Sequence, residues 1–194
     1  NPIFTYISDI AVAHKDLLFW QLRKLERSPF RWFGMRATNL KLRLRGQSIR
    51  VGYDKTEALF VASEKGRRHY FGNLERGSWL YRRGFQHRAD EIWDSYRLGA
   101  VDFAADDIVI DCGANYADLW LALEGKLAPQ NYISFEPGED EHRAICLNAP
   151  QAKNKKQGLG NKDEVQKFYV NHQDADSSLI EPNEYFDVLK IDTV

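Results

Sequence analysis

The sequence lacks any run of about 18 apolar residues, the length that a membrane-spanning helix needs. It also begins without the pattern of a secretory signal peptide. Cysteines are scarce: Cys112 and Cys146 are too few for a disulfide framework and have no metal-site spacing. We therefore expect a cytoplasmic protein with two reduced, buried thiols that form no metal site.

The glycine-rich fingerprint of dinucleotide-binding proteins, G-x-G-x-x-G, is also missing. Gly113 is the only glycine in the turn where that fingerprint would lie. A pyrophosphate group needs several bare backbone N–H groups at a helix N-terminus. The single glycine therefore argues against a nicotinamide-dependent reductase, which we keep as a second enzyme hypothesis.

The balance of charge divides the chain into two parts. Apolar residues make up 43% and charged residues 28% of the 194 residues, which is typical of a folded protein. Residues 1–100 contain 19 basic and 10 acidic residues, whereas residues 101–194 contain 8 and 18. We predict an N-terminal extension over 1–100 and an acidic, ligand-binding domain over 101–194.

Apolar residues in the N-terminal extension recur in some segments every 3.6 residues, as in a helix, and in others every second residue, as in a strand. Its clearest signal is the alternation of leucines with basic residues before Gly46-Gln47, which predicts a β-hairpin. The predicted elements, in order, are a helix over Ser8–Arg27, the hairpin over Leu40–Tyr53, a third strand over Ala58–Ala62, a loop over Glu64–Gly77 and a helix over Phe85–Leu98 that ends at Gly99.

The acidic half is organised around residues 106–137. An apolar run, Ile108–Ile110, ends at Asp111, and the turn Gly113–Asn115 follows it. A helical pattern then leads to a second apolar run, Tyr132–Phe135, which ends at Glu136. This order predicts a parallel β-α-β unit with its ligand beyond the C-terminal ends of the strands.

Further elements are predicted after Pro137. Acidic residues in the first turn favour a helix from Glu139 to Asn148. Two more strands, Lys155–Leu159 and Val165–Val170, are joined by a turn at Asn161, Lys162 and Asp163. A buried strand, Phe186–Ile191, ends at Asp192 and is predicted to be the fourth core strand.

The two acids at the strand ends indicate the ligand. Glu136 follows Asp111 by 25 residues, and a carboxylate at that point suits both hydroxyls of a ribose. An acid before the turn and a full side chain at Asn115 fit a cationic, phosphate-free ligand. S-adenosylmethionine, which joins a ribose and adenine to a sulfonium and an amino acid tail, is such a ligand.

The segments IVIDCGAN, ISFEP and LKID, together with Asn148, resemble the FkbM-type S-adenosylmethionine-dependent methyltransferases. The resemblance covers roughly Leu40 to the last residue. It implies an α/β fold with the Rossmann-like parallel sheet of class I methyltransferases, S-adenosylmethionine as donor, and a hydroxyl acceptor on a sugar, glycan or related small molecule. The family usually has a glycine where this chain has Ala117.

The resemblance also implies a set of functional residues. Asp111, Gly113 and Asn115 would face the amino acid tail of the donor, Glu136 its ribose, and Gly160 its adenine. The full predicted cofactor-binding set is Asp111, Gly113, Ala114, Asn115, Glu136, Pro137 and Gly160.

A second set of candidate residues concerns the acceptor of the methyl group. Asp192 would orient or deprotonate the acceptor hydroxyl, or hold a divalent cation. Ser177 and Ser178 resemble a serine pair near the acceptor site of the family. His172 and His142 are candidate bases by their chemistry alone. Methyl transfer is mainly a positioning task, so a strong catalytic motif is not expected.

Two features keep an alternative open. Class I methyltransferases have seven strands, and only about four are predicted here. We therefore expect the sequence to be truncated, or a homodimer to cover the open sheet edge. The alternative to an enzyme is a degenerate methyltransferase fold that serves as a binding or dimerisation module.

The basic stretch Arg23–Arg50 has three interpretations: a binding surface for an anionic glycan or lipid-linked sugar, a nucleic-acid contact, or a solvated face. The alternation of its arginines favours the last. A nucleic-acid methyltransferase stays open as an alternative. The signature of amino-directed methyltransferases is absent, however, so no nucleic-acid partner is expected.

Overall fold

The computed structural model describes residues 31–162, 164–170 and 187–194, which form a mixed α/β fold with a three-stranded parallel sheet. The chain divides into two compact units, residues 1–46 and 47–194. The division that we predict at residue 100 falls within the second unit. The predicted helix Ser8–Arg27 lies outside the described residues.

The first described element is helix α1 (Arg31–Leu44), so the first strand of the predicted hairpin over Leu40–Tyr53 is wrong. Its second strand is present, over Arg50–Asp54. Gly46 does not turn a hairpin. It has a φ of 69°, and its N–H donates to the carbonyl of Arg43 at 3.0 Å, which ends the helix. The error has a physical cause, because five alternating residues also fit a helix in which Leu40 and Leu44 share one side.

An antiparallel sheet follows, formed by β1 (Arg50–Asp54), β2 (Leu59–Glu64) and β3 (Arg67–Phe71) in that order. The predicted third strand corresponds to β2. Lys65 and Gly66 both have positive φ, 49° and 85°, and form the two-residue turn between β2 and β3. The strand β3 lies where the sequence predicted a loop, so that prediction is wrong.

Two helices come next, α2 (Leu74–Tyr81) and α3 (Phe85–Ser95). The first half of α2, residues 74–77, also lies within the predicted loop, so the loop prediction is wrong there too. The side chain of Asn73 caps it by accepting the N–H of Arg76 at 2.9 Å. The predicted helix at Phe85 is confirmed, but it ends early because Arg97 is left-handed, with a φ of 54°.

The predicted β-α-β unit is confirmed. Three parallel strands, β4 (Val109–Cys112), β5 (Tyr132–Phe135) and β6 (Lys153–Lys155), pair in that order. Ile110 in β4, Ile133 in β5 and Lys153 in β6 lie side by side. One apolar cluster packs the helices against this sheet, with Trp120, Leu123 and Tyr132 among its buried members. The helices between the strands are α4 (Asp118–Leu123) and α5 (Glu139–Asn148).

The last two strands, β7 (Glu164–Val170) and β8 (Asp187–Thr193), pair with each other in a separate antiparallel sheet. The prediction that the final strand is the fourth strand of the parallel sheet is therefore wrong. The predicted strand Lys155–Leu159 is also misplaced, because β6 ends at Lys155. An apolar run predicts a strand, but its partner is chosen by long-range contacts; β7 offers seven paired positions to β8.

One face of β4 is open to solvent in the part of the chain that the structure describes. Ile108 is 64% and Ile110 57% exposed. Cys112 and Cys146 are exposed and unpaired, so the prediction of buried thiols is wrong. Among the described helices, none has the length and apolar character required to cross a bilayer.

Candidate functional site

The turn after β4 has an unusual backbone. Gly113, Asn115 and Ala117 all have left-handed conformations, with φ of 78°, 51° and 62°. For Ala117, which has a β-carbon, this conformation costs about 1–2 kcal/mol. The alanine therefore keeps the backbone shape that a glycine would adopt more easily.

The same turn joins the C-terminal ends of two strands. The N–H groups of Gly113 and Ala114 both donate to the carbonyl of Phe135, at 2.9 and 3.1 Å. The N–H of Ala117 donates to the carbonyl of Ala114 at 2.8 Å. These amides already have partners within the protein, so the turn does not offer a ring of bare N–H groups to a phosphate.

Glu136 lies at the centre of this edge and is only 8% exposed. One carboxylate oxygen accepts the N–H of Gly138 and the other the N–H of Asn115, both at 2.9 Å. Burial raises the pKa of Glu136 to about 7, with Glu141 and Asp111 adding repulsion, although the two backbone hydrogen bonds oppose the shift. Glu136 is thus a desolvated acid that titrates near neutrality.

Asp111 is the second acid of the site. The hydroxyl of Tyr132, on the neighbouring strand, donates to its carboxylate. Burial raises the pKa of Asp111, and the tyrosine bond opposes that shift. Because Asp111 also raises the pKa of Glu136, the two carboxylates form one region of negative charge at the ends of β4 and β5.

Asn115 supplies a polar atom without a partner. Its side-chain oxygen Oδ1 is buried and receives no hydrogen bond. An unsatisfied buried acceptor costs about 1–3 kcal/mol, and a ligand donor would remove that cost. A side chain at Gly113 would meet no atom within 4 Å, so there is space beside the turn for a ligand.

Asn148 ties the site to the antiparallel sheet. Its Oδ1 accepts the N–H of Tyr70 at 2.7 Å, while its Nδ2 donates to the carbonyls of Tyr70 and Tyr116 at 2.9 and 2.8 Å. Tyr116 belongs to the turn between β4 and α4. This one side chain, at the end of α5, therefore fixes the position of both β3 and the turn.

A buried polar cluster that sequence reasoning missed lies beside the turn. Asp118, at the start of α4, accepts hydrogen bonds from the hydroxyl of Tyr81 at 2.7 Å and from Arg88 at 2.9 and 2.6 Å. His69 Nε2 lies 3.6 Å from the same carboxylate. Burial opposes the charged form of Arg88, but the carboxylate of Asp118 outweighs that effect and raises the pKa of Arg88. These four residues lie far apart in sequence, so no spacing pattern could have indicated the cluster.

His69 in this cluster is neutral at physiological pH. It is 3% exposed, and burial lowers its pKa to about 4, against the opposing effect of Asp118. Its contact with Asp118 is therefore not an ion pair at neutral pH. Its Nε2 atom is buried and has no hydrogen-bond partner, so the cluster is held together by Asp118, Tyr81 and Arg88.

We expect His69 to make the protein less stable in acid. The unfolded histidine binds a proton near pH 6.5 and the folded one near pH 4, so the unfolded state binds more protons in that window. The free energy of unfolding should therefore fall by about 3 kcal/mol from this residue as the pH drops from 6.5 to 4.

Urea unfolding of the wild type and of His69→Gln across this pH range measures the effect. The difference in the free energy of unfolding between the two proteins should change by that amount. His87→Gln, at a half-exposed position where His87 pairs with Glu91, is the control for the loss of a histidine elsewhere in the chain. Parallel curves for wild type and His69→Gln would contradict a neutral, buried His69.

The predicted site residues are distributed as follows. The structure brings Asp111, Gly113, Ala114, Asn115, Glu136 and Pro137 together at the ends of β4 and β5. Gly160 lies beside β8, where its N–H donates to the carbonyl of Val194 at 3.1 Å. Asp192 is exposed in β8 and pairs with Val165, so its predicted place in the parallel sheet is wrong.

Three predicted residues, Ser177, Ser178 and His172, lie outside the described residues. His142 is on α5, where its Nε2 lies 3.8 Å from the sulfur of Cys146. Within the described ranges, no three His, Cys, Asp or Glu side chains are grouped closely enough to hold a metal ion. Comparison of the chain with protein-family models, curated proteins and solved structures finds no match.

Proposed function

We propose that this protein binds S-adenosylmethionine through a class I methyltransferase fold and transfers its methyl group to a hydroxyl of a sugar, glycan or related small molecule. One observation carries the proposal. Two desolvated carboxylates, Asp111 and Glu136, end neighbouring parallel strands on either side of a left-handed glycine turn. This is the edge at which parallel α/β sheets bind ligands.

The electrostatics of the edge favour a cation. Burial raises the pKa of both carboxyl groups, which means that each charge is poorly solvated. A positively charged ligand would stabilise the ionised forms. S-adenosylmethionine carries a sulfonium and an ammonium, and the orphaned Oδ1 of Asn115 is an acceptor for an ammonium N–H.

The turn also favours a donor without a pyrophosphate. Its amides at Gly113, Ala114 and Asn115 already donate to Phe135 and Glu136. A dinucleotide would have to break these bonds to be held by the backbone. The same geometry supports S-adenosylmethionine over a nicotinamide cofactor.

The residues of the edge would divide the binding between them. Glu136 would accept the ribose hydroxyls, and Asp111 and Asn115 would hold the amino acid tail. When bound, S-adenosylmethionine supplies an electrophilic methyl carbon on its sulfonium. The protein then has to align the acceptor oxygen with that carbon, which is a positioning task.

A non-catalytic binding module is the second candidate. It is favoured by the place of Asp192, which lies in β8 and not in the parallel sheet. It is also favoured by Glu136, whose oxygens both have backbone partners that a ribose must displace or share. Donor binding without methyl transfer to any hydroxyl acceptor would support this candidate.

Calorimetric titration with S-adenosylmethionine and S-adenosylhomocysteine tests the proposal. We expect micromolar binding by the wild type and a loss of about tenfold or more in Glu136→Gln, since charged hydrogen bonds contribute about 1.5–3 kcal/mol. Glu139→Gln is the matched control, because Glu139 is exposed and pairs with Lys156.

Proton release gives the same experiment a second readout. The pKa of Glu136 is about 7, so a cation that stabilises its carboxylate should release protons on binding near pH 7. Titrations in two buffers with different heats of ionisation measure that release. The cationic S-adenosylmethionine should release more protons than the neutral-sulfur S-adenosylhomocysteine. Folded wild type that binds neither compound would contradict the proposal.

A further inference from the structure

Helix α1 carries an apolar stripe that faces solvent. The stripe consists of apolar residues that are four, three and four positions apart and therefore share one side of the helix: Phe33, Ala37, Leu40 and Leu44. All four are exposed, and the three large side chains are 62%, 57% and 78% exposed in that order. Leu42, on the opposite side of the helix, is 5% exposed, so the exposed apolar side chains lie on one side of α1.

Cations border this stripe on both sides. Arg36 and Arg43 flank it on one side and Lys41 on the other, and all three are exposed. The sequence contains no acidic residue between Glu26 and Asp54. A solvent-facing helix of an ordinary domain mixes both signs of charge, whereas this helix presents one sign only.

An aromatic pair lies at the start of the helix. Trp32 is 45% exposed, its ring meets that of Phe33 edge to face at 4.9 Å, and the guanidinium of Arg36 lies 3.7 Å from its ring centre. Tryptophan beside arginine is typical of the boundary between lipid headgroups and acyl chains, where an apolar ring and a cation are both accommodated.

We propose that α1 is a membrane-surface helix that lies on an anionic bilayer, with Phe33, Leu40 and Leu44 inserted below the headgroups. Charge complementarity selects this occupant, because a uniformly cationic border matches a phosphatidylserine-rich surface. Arg36, Lys41 and Arg43 extend their charges to the headgroups while their alkyl stems lie along the stripe. This inference goes beyond methyl transfer and does not depend on donor binding.

Vesicle co-sedimentation of the 194-residue chain tests the proposal. Vesicles of phosphatidylcholine with phosphatidylserine are compared with phosphatidylcholine alone, at low and at physiological salt. We expect binding to the anionic vesicles, weaker binding as salt rises and little binding to the neutral ones. If the folded protein does not bind anionic vesicles at low salt, the proposal is wrong.

Two paired variants separate insertion from simple charge attraction. Leu40→Ser with Leu44→Ser should lower the partition coefficient about tenfold or more, because buried apolar area is lost. Arg36→Glu with Arg43→Glu should abolish binding. The control, Arg83→Glu with Arg97→Glu, makes the same charge change at exposed positions of the second unit and should bind as the wild type does.

Competition with double-stranded DNA completes the test. If the leucine variant binds anionic vesicles as well as the wild type does, and DNA displaces both equally, the surface is a general polyanion contact and the lipid proposal fails. The proposal would also be wrong if the control and the α1 charge variant lost vesicle binding to the same extent. Circular dichroism checks that each variant keeps its helix content.

Discussion

Asn148→Asp should destabilise the protein by about 4 kcal/mol, although it changes only one NH₂ group to an oxygen. The native amide donates to the carbonyls of Tyr70 and Tyr116. In the variant both partly buried carbonyls lose their donor, and a buried polar group left unsatisfied costs about 1–3 kcal/mol. The new carboxylate oxygen also lies against two carbonyl oxygens, which adds repulsion.

The effect should reach the candidate site. Because Tyr116 lies within the turn, the loss of its bond releases the segment that holds Asn115 and Ala117. We therefore expect donor binding to weaken together with stability. At low pH the difference in the free energy of unfolding between the variant and the wild type should become smaller, because the protonated carboxyl group at position 148 can again donate one hydrogen bond.

Guanidinium unfolding at equilibrium measures this prediction. Asn161→Asp is the matched control, because it makes the same chemical change at an exposed position and should alter stability by less than about 0.5 kcal/mol. If the two variants are equally stable, Asn148 does not clamp β3 to the turn.

Gly77→Ala should also destabilise strongly, by about 3 kcal/mol. Gly77 lies within α2, where an exposed alanine would normally add about 1 kcal/mol of stability. A β-carbon at this position would lie 2.1 Å from Cδ2 of Phe71, well inside contact distance. Phe71 is fully buried, so the ring cannot turn away and the helix must move.

A double-mutant cycle isolates the overlap. Phe71→Leu alone removes ring atoms and costs stability, but it should make Gly77→Ala much less harmful, so that the two changes are strongly non-additive. Gly52→Ala is the control, because its β-carbon would lie at an ordinary 3.5 Å from Val61. Stabilisation by Gly77→Ala would show that α2 does not pack so closely on β3.

Local signals were sufficient for the β-α-β unit. An apolar run, a glycine turn and an acid at the strand end predicted β4 and β5, and Tyr132–Phe135 and Glu139–Asn148 form their elements with the predicted bounds. The meeting of Asp111 with Glu136 also followed, because parallel neighbouring strands end at one edge of a sheet. The proposed ligand at that edge stays a prediction.

Other local signals were ambiguous or went unrecognised. The alternating leucines before Gly46 fit both the period of a strand and that of a helix. Only the tertiary structure shows that they lie on a helix, with Leu42 buried and Leu40 and Leu44 exposed. The Lys65-Gly66 turn and the Asn73 cap were readable in the sequence. They were missed because the segment around them is polar.

The sequence by itself determined the order of strand, turn and helix around Gly113 and the position of both acids, because those features depend on neighbours in the chain. The tertiary structure alone decided that β8 pairs with β7, that His69 and Arg88 meet Asp118, and that Asn148 holds the turn. These contacts join residues that are far apart in sequence, and the packing of whole elements determines which of them meet.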